Sequence, residues 1–98
     1  MKTIDSIRTI LSEHLPELRD QYGVTSIAVF GSAARGDFDE TSDVDILVDF
    51  GRPIGWEIVH LQLRLEELIG SEVDLVTRNA ALRKPLLWTS IQEDLVYV

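Results

Sequence analysis

The stretch Ser26-Ile27-Ala28-Val29-Phe30-Gly31-Ser32-Ala33-Ala34-Arg35-Gly36, followed after six mostly polar positions by Asp43-Val44-Asp45-Ile46-Leu47-Val48-Asp49-Phe50, decides how this chain folds. Residues 26–30 form a short apolar run of β type that stops at Gly31-Ser32. Residues 32–36 are small and then basic, which suits one helical turn. Residues 37–42 predict a polar loop. Asp43 to Phe50 alternates acid or leucine with Val, Ile or Phe, the period of a second strand, and Gly51-Arg52-Pro53 breaks it.

Upstream, Ile4, Ile7, Leu11, Leu15, Leu18 and Tyr22 recur at gaps of three and four, one face of a helix over 4–22. Pro16 interrupts that pattern and predicts a kink or two short helices; Gly23 suits a C-cap. Downstream, Ile58, Leu61, Leu65 and Leu68 predict a helix over 55–69, stopped by Gly70-Ser71. Glu72 to Thr77 reads as a third strand, Asn79 to Glu93 as a helix with Pro85 near a helix start, and 95–98 as a short terminal strand. The order α-β-turn-β-α-β-α predicts an α/β or α+β layer fold with a small sheet.

Composition bounds the rest. Ninety-eight residues suit one domain over 1–98, and the formal charge is 9 − 17 = −8. A chain of this size buries roughly 60–65% of its unfolded surface, enough for one modest core. With 45% hydrophobic and 27% charged residues it reads as globular, not disordered. The absence of cysteine excludes a disulfide framework, a thiolate metal site and a cysteine nucleophile, and fits a reducing, cytoplasmic setting. No apolar run approaches the ~20 residues of a membrane span, and no leader segment or membrane contact is expected. A pI near 4.5 argues against unaided binding to duplex nucleic acid. Any phosphate chemistry here needs a cation.

Six of the 17 acids fall within 37–49: Asp37, Asp39, Glu40, Asp43, Asp45 and Asp49. Asp43 and Asp45 are two apart on the expected strand and so share a face. Two carboxylates a few ångströms apart repel by roughly 4 kcal/mol at an effective dielectric near 20. A proton or a divalent cation relieves that cost. Oxygen ligands without His or Cys favour Mg²⁺ or Mn²⁺. The plain alternative is a solvated acidic edge that resists strand pairing. Asp74, in Glu72-Val73-Asp74-Leu75-Val76, reads as an acid on an interior strand, where it needs a partner. If that strand lies beside the 43–50 strand, three carboxylates converge, and such a set can hold two cations ~4 Å apart for phosphoryl or nucleotidyl displacement. Gly31 allows a close backbone approach. N–H groups at 32–34, the Ser32 hydroxyl and Arg35 form a candidate anion cradle, although a Gly-Ser pair alone is usually only a tight turn.

Gly31-Ser32, ten residues, then Asp43-Val44-Asp45 resembles the signature of the DNA polymerase β-like nucleotidyltransferase superfamily. The longer run 30–36, with Ser42 to Val48, resembles its smallest branch, the minimal nucleotidyltransferases or MntA-like antitoxins, and the likeness covers nearly the whole chain. It implies a small mixed sheet flanked by helices. It further implies that Asp43 and Asp45 bind two Mg²⁺ ions, that Asp74 binds one of them and helps deprotonate an acceptor hydroxyl, and that Gly31 and Ser32 hold the β- and γ-phosphates of ATP. Members of this branch usually pair with a HEPN-domain ribonuclease toxin and silence it by transferring AMP to a tyrosine. Two positions depart from relatives: Ala33, where a large or basic residue is common, and Trp88-Thr89-Ser90, where relatives are often basic.

Other residues have bland readings. Arg35 can pair with phosphate, or with Asp37 or Asp39. Asp49, on the same strand phase, lies more than ~10 Å from Asp45 at ~3.3 Å per residue and reads as structural. His14 and His60 suit helix surfaces, Tyr22 and Tyr97 suit packing, and Trp56 and Trp88 suit core or partner contact. The chain has no room for an acceptor-holding domain, so another molecule must present the acceptor, through a basic face; a homo-oligomer is also open. Two other functions stay in view: a non-catalytic module that neutralises the toxin by covering it, and a small-molecule adenylyltransferase.

Overall fold

The structure is a computed structural model that describes residues 3–36 and 43–98. The expected 37–42 loop, with Asp37, Asp39 and Glu40, lies outside the described residues. The elements run α1 (Ile4–Tyr22), β1 (Val24–Phe30), α2 (Gly31–Arg35), β2 (Val44–Phe50), α3 (Glu57–Ile69), β3 (Val73–Thr77), α4 (Arg78–Leu82), α5 (Pro85–Asp94) and β4 (Val96–Tyr97). The strands form one mixed sheet of order β3-β2-β1-β4. β1 is antiparallel to β2 and β4, and β3 is parallel to β2.

The period-2 pattern sorts the sheet. Ile27, Val29, Val44, Ile46 and Val48 go to the side covered by α1 and α3, where they bury with Ile7, Leu11, Leu18, Leu61 and Leu65. Ala28 and Leu47 go to the other side, under Ala81 of α4 and Ile91 of α5, with Phe30, Val76 and Trp88 packed around them. Helices on both faces explain why the central strands read as nearly continuous apolar runs.

Three expectations are corrected. Pro16 does not split the first helix into two: α1 is one helix of 19 residues with Pro16 inside it. An interior proline costs roughly 3 kcal/mol. Leu11 and Leu18 bury on either side of it, each contributing about 1.5–3 kcal/mol, and so hold both halves in line. The Thr3–Ser6 capping box and Gly23 in the left-handed region (φ 73°) fix its two ends. Second, the expected helix over 79–93 is two helices. Proline disfavours the α region for the residue before it; Lys84 sits at φ −125°, ψ 89°, and α5 restarts at Pro85. Thr77 caps α4 through Oγ1, which accepts from Ala80 N at 3.2 Å. Third, β3 is an edge strand, so Asp74 is exposed instead of interior.

Away from the sheet, Arg64 ties α3 to α1. Its Nε and Nη2 donate to the two carboxylate oxygens of Glu17 at 2.8 and 2.9 Å, and its Nη1 donates to Glu67 at 2.7 Å. The fork holds the Glu17 carboxyl below its usual value. A depressed folded-state acid stabilises above its unfolded value and loses that contribution as pH falls through its folded value. Glu17→Gln should therefore lower the melting temperature at pH 7 modestly and flatten its decline on acidification, read by circular dichroism between pH 7 and 3. An unchanged acid limb would discount the fork. Among the described residues, no helix is long and apolar enough to cross a membrane.

Candidate active site

β1 ends where β2 and β3 begin, so one end of the sheet collects the acids and the glycine corner. In the parallel pair Asp45 stands opposite Asp74, and in the antiparallel pair Phe30 stands opposite Asp45. Residues in register on neighbouring strands project to the same face, here the face of the smaller α4–α5 cluster. Burial first, then the charges of Asp74 and Asp43, push the Asp45 carboxyl above its usual value, with Arg35 opposing. The nearby Asp74 side chain adds a further, smaller upward push on Asp45. Two carboxyl groups side by side repel, and a positive charge between them would relieve that cost.

Asp43 does not complete the expected three-carboxylate cluster. It precedes β2, is exposed, and acts on Asp45 through its charge. Among the described residues, no three His, Cys, Asp or Glu side chains stand close enough to hold a metal ion. The physical reason is the repulsion that a cation would remove. The donor set still fits a hard divalent cation: two adjoining carboxyls, a third acid two residues away on an exposed and therefore mobile side chain, and no competing His or Cys.

Gly31 is built into this corner. Its φ is 71°, and a Cβ there would overlap Oδ2 of Asp45 and stand 3.2 Å from Cγ. Only glycine gives both the left-handed turn and the room for the carboxylate. Ser32 follows in the first turn of α2, half-buried. Ala33 is 1% exposed and belongs to the main core. It faces away from the corner, so a large side chain at this position would disturb packing.

Arg35 is anchored by a residue that sequence reasoning missed. Its Nη1 donates to Oδ2 of Asp94 at 2.7 Å, tying α2 to the last residue of α5. Nothing local signals a partner 59 positions away. Its expected alternatives, Asp37 and Asp39, lie outside the described residues. Asp49 accepts from Phe50 N at 3.0 Å. It lines a cavity of about 570 Å³ with Arg52, Ile54, Ile58 and Arg78 at the far ends of β2 and β3. Four residues along β2 at ~3.3 Å each separate that cavity from Asp45, so the cavity and the acid pair fall at opposite ends of the sheet. His14 stands 4.0 Å from Glu17 on the surface of α1. Trp88 is half-buried with the Arg78 guanidinium 5.4 Å from its ring centre, whereas Trp56 is 87% exposed.

The same chain matches known proteins. A family model described as a nucleotidyltransferase domain matches residues 11–98. The protein adenylyltransferase MntA of Thermococcus cleftensis is 44% identical over 99 residues, spanning 100% of this chain and 98% of that protein. A solved structure described as a candidate minimal nucleotidyltransferase superposes with a TM-score of 0.76 at 32% identity, covering 97% of this chain and 95% of the other. The fold also recurs, at TM-score 0.64 and 22% identity over 93% of this chain and 70% of that one, in a complex of a tri-AMPylated Shewanella oneidensis HEPN toxin with its MNT antitoxin.

Proposed function

Because the chain belongs to the nucleotidyltransferase domain family, we propose that this enzyme transfers AMP from ATP to a tyrosine hydroxyl of a HEPN-type toxin and so acts as its antitoxin. The observation that carries the reading is the Asp45–Asp74 pair, in register across β2 and β3 and in contact with the Gly31 corner. The adenylyltransferase relative and the HEPN–MNT complex of the same fold support the choice of reaction and partner.

Each residue then has a task. Gly31 lets the backbone approach the triphosphate, and the Ser32 hydroxyl donates to it. Arg35, held by Asp94, adds positive charge beside that corner. Asp45 and Asp74, with Asp43 turned inward, are the residues that would hold Mg²⁺ or Mn²⁺. The cation supplies neutralisation of the phosphate charge and of the acids themselves. Asp74, exposed at the sheet edge, takes the proton of the incoming hydroxyl. The acceptor oxygen forms a bond to the α-phosphorus as the bond from that phosphorus to the bridging oxygen breaks, and pyrophosphate leaves with the electron pair.

The test is incubation with α-labelled ATP, Mg²⁺ and a HEPN-type protein from the same organism. Label should appear on a tyrosine of the partner, as an added AMP mass. A bound partner that stays unlabelled in the presence of Mg²⁺ would reject the enzymatic reading in favour of neutralisation by contact.

A further inference from the structure

The free edge of β3 carries a surface that the transfer reaction leaves unused. Alternate residues of a parallel strand turn their backbone groups to the neighbour. Val44 N donates to Glu72 O at 2.9 Å, so Val73 and Leu75 turn theirs outward. At Val73 both groups are taken by α3: Gln62 Nε2 donates to Val73 O at 3.1 Å, and Val73 N donates to Glu66 at 3.0 Å. These side chains bring α3 alongside the edge. Helical spacing sets Val59 and Leu63 one step further round, outward of Gln62 and Glu66, and they are 47% and 59% exposed. Beyond Val73 a groove of about 360 Å³ follows the edge, lined by Ile58, Leu75 and Leu87, with Lys84 at its rim.

The exposed Glu72 and Asp74 flank the start of this edge, and basic residues gather at its α4–α5 end. Arg78, Arg83 and Lys84 are three of the 9 basic residues, all within 78–84 of a chain of net charge −8. Arg78 lies over Trp88. Arg83 and Lys84 are exposed and have no carboxylate partner among the described residues. A second copy docked about a two-fold axis would set one basic rim near the other and one −8 chain against another, since such an interface must be self-complementary. An apolar groove with Lys84 at its rim, and the exposed Arg83 next to it in the chain, instead suits an apolar segment carrying carboxylates. The groove also starts at Leu75, the residue after Asp74, so a protein seated along it has its surface beside the proposed base.

We propose that the β3 edge, between Val59 and Leu63 of α3 and Lys84 and Leu87 at the α4–α5 corner, docks the protein that accepts the AMP, through an apolar segment bearing Asp or Glu opposite Arg83 and Lys84. This rests on the transfer reading above, and the two fail separately.

The experiment measures binding of a HEPN-type protein from the same organism, and AMP transfer to it, for three forms: wild type, Arg83→Glu/Lys84→Glu and Val59→Ser/Leu63→Ser. All four positions are exposed, and circular dichroism verifies the fold. Each double variant should weaken binding at least tenfold, the charge-reversed one also losing most of its salt dependence, while the affinity for ATP stays unchanged. Variants that bind within twofold of wild type overturn the docking surface even if AMP is transferred. Weakened variants without AMP transfer by wild type uphold the surface and reject the reaction. A wild type that does not bind the partner rejects both. A wild-type dimer in light scattering that Val59→Ser/Leu63→Ser dissociates, or sedimentation with phosphatidylserine vesicles that the charge reversal abolishes, overturns the proposed occupant.

Discussion

Asp45→Asn should abolish AMP transfer while leaving the fold intact. The carboxamide keeps the shape of the side chain but removes the charge that a divalent cation needs, and it sits at the centre of the acid pair. Loss of one group that stabilises developing charge typically costs on the order of 10²–10³ in rate, and a lost cation ligand belongs at the upper end. Stability should move the other way. Burial and the neighbouring acids raise the Asp45 carboxyl in the folded protein, so over that window the folded state binds more protons than the unfolded chain. Stability of the metal-free protein therefore falls as pH rises from the ordinary aspartate range through the raised value, and the variant should lack that fall. Added Mg²⁺ should raise the melting temperature of wild type by preferential binding to the folded state, and that of Asp45→Asn little. A fully active Asp45→Asn enzyme, or one stabilised by Mg²⁺ as much as wild type, would remove the acid pair from the mechanism.

Gly31→Ala should impair both stability and rate. A non-glycine residue at φ 71° costs about 1–2 kcal/mol. The added methyl also overlaps the Asp45 carboxylate, so either the turn or the carboxylate must shift. A displacement near 1 Å can cost about 10²-fold in rate. The readouts are a melting curve and the transfer rate at saturating ATP. A Gly31→Ala protein with a wild-type rate would separate the glycine corner from the chemistry. The two substitutions probe one contact from opposite sides, so their effects on rate should not add.

The resemblance carried by Gly31-Ser32 and Asp43-Val44-Asp45 led to the family, and the strand periods led to the layered fold, because both depend on neighbours along the chain. Where local rules met tertiary packing, packing won. Pro16 stayed helical since Leu11 and Leu18 are buried on both sides of it. In contrast, Pro85 split its helix: the restriction on Lys84 is a local steric one that nothing nearby offsets.

Spacing alone determined that Asp43 and Asp45 stand at the start of a strand and that a glycine turn ends the strand before it. Only the folded chain decided that Asp74 lies on an edge opposite Asp45, that Asp43 precedes the strand outside the pair, and that Arg35 reaches Asp94, 59 positions away. Periodicity specifies the face to which a side chain points, but which strands become neighbours depends on the parallel crossover through α3. The repulsion among the acids then decides how closely they approach without a cation.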